Sequence, residues 1–178
     1  MMNKSVKLGI QGRPDVPPRL FDLVPRYIEK YGYKDCLFAG KVNKQWVKYD
    51  GKKFYEITNS ISYGLLKLGV KKGDRIALIA NNAPEWNMID FAIQQVGAIC
   101  IPIYPTISHD DYKYIFNHSE ASIAFFTNKY LYSKVADIIA DIPTIKETYL
   151  IRASEDMKSL QDLINLGNEN KDVDTLEA

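Results

Sequence analysis

Residues 75–104, which read RIALIANNAPEWNMIDFAIQQVGAICIPIY, decide the fold that the sequence predicts. They begin with an apolar run, Arg75 to Ala80, of the length expected for a strand buried on both faces. Asn81-Asn82 is predicted to cap the helix that follows, with Pro84 in its first turn. A second apolar run, Ala98 to Tyr104, comes next. Strand, helix and strand in this order predict one right-handed βαβ unit of a parallel sheet.

The same pattern continues on both sides of this stretch. Downstream, the sequence predicts helices capped by Ser108 (with Asp111 completing a capping box) and by Asn128, strands at 122–127 and 148–151, and a last helix that ends at Gly167. Upstream, it predicts a helix at 20–31, a hairpin of strands 36–39 and 45–49, and a long amphipathic helix that begins at Asp50 and ends near Gly69.

The predicted fold class is therefore α/β, with a doubly wound, mainly parallel sheet and helices on both faces. Residues 1–18 are rich in Pro and Gly and are expected to form an irregular lead-in. Residues 19–167 are expected to form a single α/β subdomain. Residues 168–178 are charged and are expected to form a frayed tail.

Composition excludes several classes of protein. The net charge of +1 gives no electrostatic reason to expect a nucleic-acid partner. Two cysteines, Cys36 and Cys100, do not make a disulfide framework, so a reducing cytoplasmic setting is expected. The most apolar stretch, Phe91 to Tyr104, is interrupted by Gln94-Gln95 and is shorter than the ~20 residues of a membrane span.

A search for chemistry at the strand ends finds no catalytic constellation. Neither a Gly-x-Gly-x-x-Gly dinucleotide motif nor a P-loop occurs in the sequence. Asp110 and Asp111 fall in the first turn of a predicted helix, where capping is favoured over metal binding by about four to one. His109 and His118 have no Glu or Cys at ligand spacing. We therefore assign no catalytic, cofactor-binding or metal-binding residue in this chain.

Between Trp46 and Ala121 the chain resembles the first part of the AMP-binding, adenylate-forming enzymes. The motifs that carry the resemblance occur in the family's order: Gly73-Asp74-Arg75-Ile76-Ala77-Leu78, Asn82-Ala83-Pro84-Glu85-Trp86, Gly97-Ala98-Ile99, Pro102-Ile103-Tyr104-Pro105-Thr106 and His118-Ser119-Glu120-Ala121. The Pro-Glu-Trp and Tyr-Pro-Thr triplets are most similar to those of long-chain fatty-acid–CoA ligases. One departure is Lys53, because the family usually has Glu or Gln there to complete a capping box with the residue at position 50.

The resemblance implies that the whole enzyme activates a fatty acid with ATP and Mg²⁺ and then passes the acyl group to CoA. The family's phosphate loop, metal-binding Glu and catalytic Lys all follow the region that ends at Ala178, so this fragment is expected to be an inactive N-terminal scaffold. Tyr104, Pro105 and Thr106 end a strand on the ligand-facing edge and are expected to border the substrate pocket. The alternative is a free-standing α/β module that binds a ligand or a protein without enzymatic activity.

Partners follow from the same expectation. The missing remainder of its own chain is the first partner, and self-association through an exposed apolar face is expected when that remainder is absent. Neither a membrane span nor a basic amphipathic helix is predicted, so the expected location is cytoplasmic, with peripheral membrane association of the whole enzyme left open.

Overall fold

The computed structural model describes residues 19–42 and 44–177, so the predicted lead-in at 1–18 lies outside the described residues. A single 3₁₀ turn, Leu20–Asp22, precedes the first helix. The helices are α1 Leu23–Tyr31, α2 Gly51–Lys67, α3 Pro84–Gln95, α4 His109–Ser119, α5 Lys129–Ser133, α6 Ala136–Asp141, α7 Leu160–Glu169 and α8 Val173–Glu177. The strands are β1 Phe38–Val42, β2 Gln45–Tyr49, β3 Arg75–Ile79, β4 Ile99–Ile103, β5 Ile123–Phe126 and β6 Glu147–Leu150.

Four strands form a parallel sheet in the order β4-β3-β5-β6. The central strand, β3, places Ile76 opposite Cys100 of β4 on one side and opposite Ile123 of β5 on the other. The order reverses direction at β3, as expected when βαβ units wind outward from the middle of a sheet. The predicted doubly wound α/β fold is therefore confirmed, including the central unit formed by β3, α3 and β4.

Alternate residues of each strand divide the core into two parts. Ile76 and Leu78 of β3 lie on what we call the first face, which is covered by α2, α3 and α7. Ala77 and Ile79 lie on the second face, which is covered by α4, α5 and α6. All four of these side chains are completely buried. A strand that is apolar on both sides is what a sheet between two helical layers requires.

Helices α2 and α7 cross on the first face at a very short backbone distance. A Cβ atom built on Gly167 would lie 1.8 Å from the carbonyl oxygen of Ser60, and one on Gly64 would lie 2.5 Å from the carbonyl oxygen of Leu163. Ser60 Oγ also hydrogen-bonds Asn168 Oδ1 at 2.8 Å. Two glycines, one on each helix, therefore allow the two backbones to come together.

The β1–β2 hairpin packs beside the sheet on the first face. Its Phe38 ring stacks on Phe54 of α2, with ring centroids 4.4 Å apart. Gly40 approaches α3 so closely that a Cβ atom there would lie 2.6 Å from Pro84 Cδ. Aromatic stacking and close backbone approach thus fix the hairpin against two helices.

Most helix starts follow the predicted capping. Asp50 accepts a hydrogen bond from Lys53 N at 2.8 Å, and Asn128 accepts one from Leu131 N at 2.9 Å. Ser108 and Asp111 form the expected capping box at α4. At α2 Lys53 returns no side-chain bond to the cap, in agreement with the departure noted in the sequence.

Three predicted helix boundaries are wrong, and the strand predicted at 36–39 is instead β1 Phe38–Val42, which runs through Gly40. The N-cap of α3 is Ala83, which forms no side-chain cap hydrogen bond. The predicted cap, Asn81-Asn82, ends one residue before this position, because the helix begins at Pro84. The helix predicted after Asn128 is two short helices, since Val135 leaves helical geometry between α5 and α6.

The third wrong boundary is Gly167, the predicted end of the last helix. Helix α7 continues to Glu169, because Gly167 serves the contact with α2 and does not terminate the helix. Beyond it, the segment predicted as a frayed tail carries α8, where Thr175 N donates to Asp172 Oδ1 at 3.0 Å.

Candidate functional site

The carboxyl ends of the four parallel strands meet at one edge of the sheet, where ligands of this fold class usually bind. Asn81 follows β3, Thr127 follows β5 and Arg152 follows β6. Thr127 links the other two, because its Oγ1 accepts from Asn81 N at 2.9 Å and its carbonyl accepts from Arg152 N at 2.8 Å. The three strand ends are thus held together by short hydrogen bonds.

A cleft of about 250 Å³ opens at this edge, between the strand ends and the β1–β2 hairpin. Its lining residues are Ala39, Gly40, Lys41, Asn81, Asn82, Ala83, Pro84, Thr127, Ile151 and Arg152. A second and more open depression, of about 450 Å³, lies beside it between β1 and the start of α3. The two share Ala39, Asn82, Ala83 and Pro84, so we describe them together as the hairpin cleft.

A partly buried ion pair lies at the hairpin cleft. Arg152 Nη1 donates to Glu85 Oε1 at 2.7 Å, and Nη2 lies 3.4 Å from Glu85 Oε2. Glu85 is only 8% exposed, and Tyr49 Oη completes its surroundings by donating at 3.4 Å. Burial, reinforced by the negative charge of Glu85, raises the pKa of Tyr49, so its hydroxyl is a stable donor.

The ion pair joins three elements: Tyr49 comes from β2, Glu85 from the first turn of α3, and Arg152 from the residues after β6. The sequence indicated Glu85 only as part of the Pro-Glu-Trp motif, and Arg152 gave no signal of its own. Because 67 positions separate the two residues, only the fold reveals that they pair. A carboxylate beside a guanidinium in this arrangement fixes the relative geometry of the two side chains.

Tyr104, Pro105 and Thr106 follow β4, the outermost strand, and lie outside the lining of the hairpin cleft. Tyr104 is 80% exposed, and its carbonyl oxygen accepts a hydrogen bond from Tyr112 Oη at 3.1 Å. These residues share the carboxyl edge with the cleft but are not part of it. Their place at the border of a substrate pocket stays a prediction.

The residues weighed for acid–base or metal chemistry have structural partners. Asp111 belongs to the capping box of α4. His109 Nε2 lies 2.8 Å from Asp137 Oδ2, and this hydrogen bond lowers the pKa of Asp137. The ring of His118 stacks on Tyr114, with centroids 5.6 Å apart. Within residues 19–42 and 44–177 no group of three His, Cys, Asp or Glu side chains could hold a metal ion.

Cys100 is half-buried, and the pKa of its thiol is raised by desolvation and by nearby Asp90. A thiol held protonated in this way is a poor nucleophile. Cys36, the other cysteine, is exposed and unpaired.

Comparison with known proteins places this architecture in a family. Residues 25–175 match the AMP-binding enzymes. The chain belongs to the AMP-binding enzyme family. Since the match covers most of the described chain, the resemblance carried by the segment from Trp46 to Ala121 is confirmed.

The AMP-binding relatives include several fatty-acid–CoA ligases. The long-chain-fatty-acid–CoA ligase FadD15 of Mycobacterium bovis is 35% identical over 91 residues, an alignment that covers 51% of this chain and 15% of the relative. The long-chain-fatty-acid–CoA ligase ACSBG2 of Rattus norvegicus is 24% identical over 160 residues, covering 86% of this chain and 24% of the relative. The chain therefore spans less than a quarter of the length of these curated relatives.

Solved structures of AMP-binding enzymes share the fold. The long-chain-fatty-acid–CoA ligase FadD1 of Archaeoglobus fulgidus superposes with a TM-score of 0.72 at 21% identity, covering 83% of this chain and 30% of that protein. The adenylation domain of a carboxylic acid reductase from Segniliparus rugosus, solved with AMP and a carboxylic acid, gives 0.72 at 14% identity, covering 87% and 31%. At these identities the likeness shows the fold alone.

Proposed function

We propose that the whole protein is an AMP-forming long-chain fatty-acid–CoA ligase, of which this chain is the N-terminal part. In this proposal the enzyme joins a fatty acid to ATP, giving an acyl-adenylate and pyrophosphate, and then transfers the acyl group to the thiol of CoA with release of AMP. The observation that carries the proposal is the family match over residues 25–175, together with relatives named as long-chain-fatty-acid–CoA ligases.

We assign this chain a structural role in that reaction. The sequence holds no glycine-rich phosphate cradle, and the described residues hold no cluster of metal ligands, so they do not fit ATP-Mg²⁺ by themselves. The hairpin cleft offers a charge-paired, hydrogen-bonded wall and no nucleophile with an adjacent base. ATP, CoA and the fatty acid are accordingly proposed as substrates of the whole enzyme, with Mg²⁺ bound by residues outside this chain.

Palmitate-dependent exchange between ATP and labelled pyrophosphate tests the proposal. The product of the complete gene is expected to catalyse the exchange with palmitate, and the 178-residue chain alone is expected to show none. Acetate serves as the matched control substrate. Absence of exchange by the complete gene product with any fatty acid contradicts the ligase proposal. Exchange by the 178-residue chain contradicts the structural role that we assign to it.

We further propose cytoplasmic placement and self-association of the isolated chain. The free thiols of Cys36 and Cys100 support a reducing compartment. Ile99 at the outer strand β4 is 49% exposed and Tyr104 80%, which supports contact between copies at this edge. Light scattering of the isolated chain is expected to give a mass above 20.3 kDa. No helix within residues 19–42 and 44–177 is both long enough and apolar enough to cross a bilayer.

A further inference from the structure

The outer side of the β1–β2 hairpin carries a basic and aromatic surface, of which Lys41 also lines the hairpin cleft. The strand register places Lys41 opposite Trp46 and Ala39 opposite Lys48, so these side chains lie on one side of the hairpin. On the other side, Phe38, Val47 and Tyr49 pack into the core. We call the surface formed by Lys41, Trp46 and Lys48 the basic hairpin face.

Trp46 is unusually accessible for a residue of its size. It is 64% exposed, and Lys41 Nζ lies 5.1 Å from the centroid of its ring. Exposing a large aromatic side chain to water costs free energy unless a partner covers it. The indole pairs an apolar ring with one N–H donor, the combination that is enriched where hydrocarbon meets water in a bilayer.

Positive charge is concentrated in the segment of sequence that contains this tryptophan. Residues 38–55 contain five lysines and one acidic residue, a net charge of +4, whereas the whole chain has +1. Among the described residues no carboxylate lies within ion-pair distance of Lys41, Lys44 or Lys48, while Lys52 is 3.9 Å from Glu56. Each lysine near an anionic bilayer surface contributes about 1 kcal/mol of attraction to the lipid headgroups.

The surface is also held rigid. Phe38 stacks on Phe54, and Tyr49 at the end of β2 bonds to the partly buried Glu85–Arg152 pair. Trp46 is therefore presented on a strand that is packed against the core, which limits the conformational entropy lost on binding.

From this combination we infer that the basic hairpin face binds the surface of an anionic phospholipid bilayer. Trp46 enters the headgroup region, while Lys41, Lys44 and Lys48 contact lipid phosphates. A single exposed ring gives no stacking platform for successive nucleobases. The inference does not depend on ligase activity, because binding to vesicles is measured without turnover.

Vesicle binding is the first test. The full chain is expected to sediment with vesicles of phosphatidylcholine mixed with phosphatidylserine and to stay in solution with phosphatidylcholine alone. Because the contact is electrostatic, added salt is expected to release the chain. Failure to bind the anionic vesicles, or equal binding to both, overturns the inference. Retention by single-stranded DNA with no binding to vesicles also overturns it and assigns the face to nucleic acid.

The two tryptophans provide an internal reporter. Trp46 is exposed, whereas Trp86 is partly buried against the core. In Trp86→Phe, which leaves Trp46 as the only tryptophan, the fluorescence maximum is expected to shift to the blue when anionic vesicles are added. In Trp46→Phe, no shift is expected. A shift in Trp46→Phe and none in Trp86→Phe places the contact elsewhere and contradicts the inference.

Charge neutralisation completes the test. The double variant Lys41→Gln, Lys48→Gln is expected to lose about thirtyfold in vesicle partitioning, which corresponds to ~2 kcal/mol. The matched control Lys113→Gln, Lys146→Gln removes two exposed lysines far along the chain and is expected to bind as the unmodified chain does. Circular dichroism verifies that both variants fold. Equal losses in the two pairs show nonspecific attraction and overturn the assignment to this face.

Discussion

The two faces of the sheet are covered by three helices each, yet the covers are held in different ways. On the first face, α2 and α7 touch backbone to backbone through Gly64 and Gly167. On the second face, α4, α5 and α6 contact the sheet through side chains such as Phe116 and Leu131. The comparison shows that the helices of the first face also contact each other through glycines, in addition to packing side chains on the sheet.

The ion pairs repeat this contrast. Glu85 and Arg152 link a helix of the first face to a strand end, and the Glu85 side chain is 11% exposed while that of Arg152 is 36% exposed. Arg75 and Glu120 link a strand to the end of α4 with side chains 40% and 64% exposed. The distances are similar, 2.7 and 2.8 Å. Burial, and not distance, should therefore decide which pair contributes more to the free energy of unfolding.

Replacing Gly167 by Ala is expected to cause the largest loss of stability, because it acts on the glycine contact of the first face. The added Cβ meets the Ser60 carbonyl at 1.8 Å, so α2 and α7 must separate. Overpacking of this kind costs about 3 kcal/mol or more of unfolding free energy. Urea denaturation measures the loss. The matched control is Asn165→Ala, an exposed position on the same helix, where little change is expected. An unchanged stability in Gly167→Ala would show that the helix crossing has room to adjust.

Neutralising the acidic partner of each ion pair is expected to have the next largest effect. Glu85→Gln leaves Arg152 partly buried without its counter-charge and should cost about 2 kcal/mol. Glu120→Gln removes the exposed partner of Arg75 and should cost less than about 1 kcal/mol. Both substitutions keep side-chain shape, so denaturation midpoints can be compared directly. Equal losses would contradict the role that we give to burial.

Sequence patterns predicted the layers of this fold better than the contacts between them. Apolar runs of strand length fixed β3 through β6, and side-chain periodicity fixed α2, because burial on a sheet imposes those patterns. The short α5 and α6 were predicted as one helix, since no breaking residue marks Val135. Gly167 was predicted as a helix end because glycine usually has that role, and only the neighbouring helix shows otherwise.

The candidate site was less accessible to prediction. Strand order located the carboxyl edge, and with it Asn81, Thr127 and Tyr104. The Glu85–Arg152 pair and the close approach of Gly40 to Pro84 join elements that are far apart in the chain. No local sequence pattern therefore encodes them. Trp46 was read only as part of a family motif, because exposure is a property of the folded hairpin.

Removing the serine caps of α4 and α7 is expected to reveal a smaller difference in stability between the two faces. Ser159 caps α7 on the first face and is 6% exposed, whereas Ser108 caps α4 on the second face and is exposed. Ser108→Ala should cost about 1 kcal/mol and Ser159→Ala up to about 2 kcal/mol. Thr at each position should restore most of the loss, because it supplies the same oxygen. A larger loss at Ser108 would reverse the comparison.

The smallest expected effect is a change in acid sensitivity at the α7 cap. The hydrogen bonds from Ser159, chiefly from its side chain, lower the pKa of Asp162. A carboxyl group with a lowered folded-state pKa contributes stability above its unfolded pKa of about 4 and loses that contribution as the pH falls through the folded value. Asp162→Asn should therefore reduce stability at neutral pH and flatten its decline in acid. Urea denaturation from neutral to acidic pH measures both effects.

Ser159→Ala should give the same flattening, since it removes the main donor to the Asp162 carboxylate, and the double variant should add nothing further. Additive flattening in the double variant would mean that another group on the first face titrates with α7.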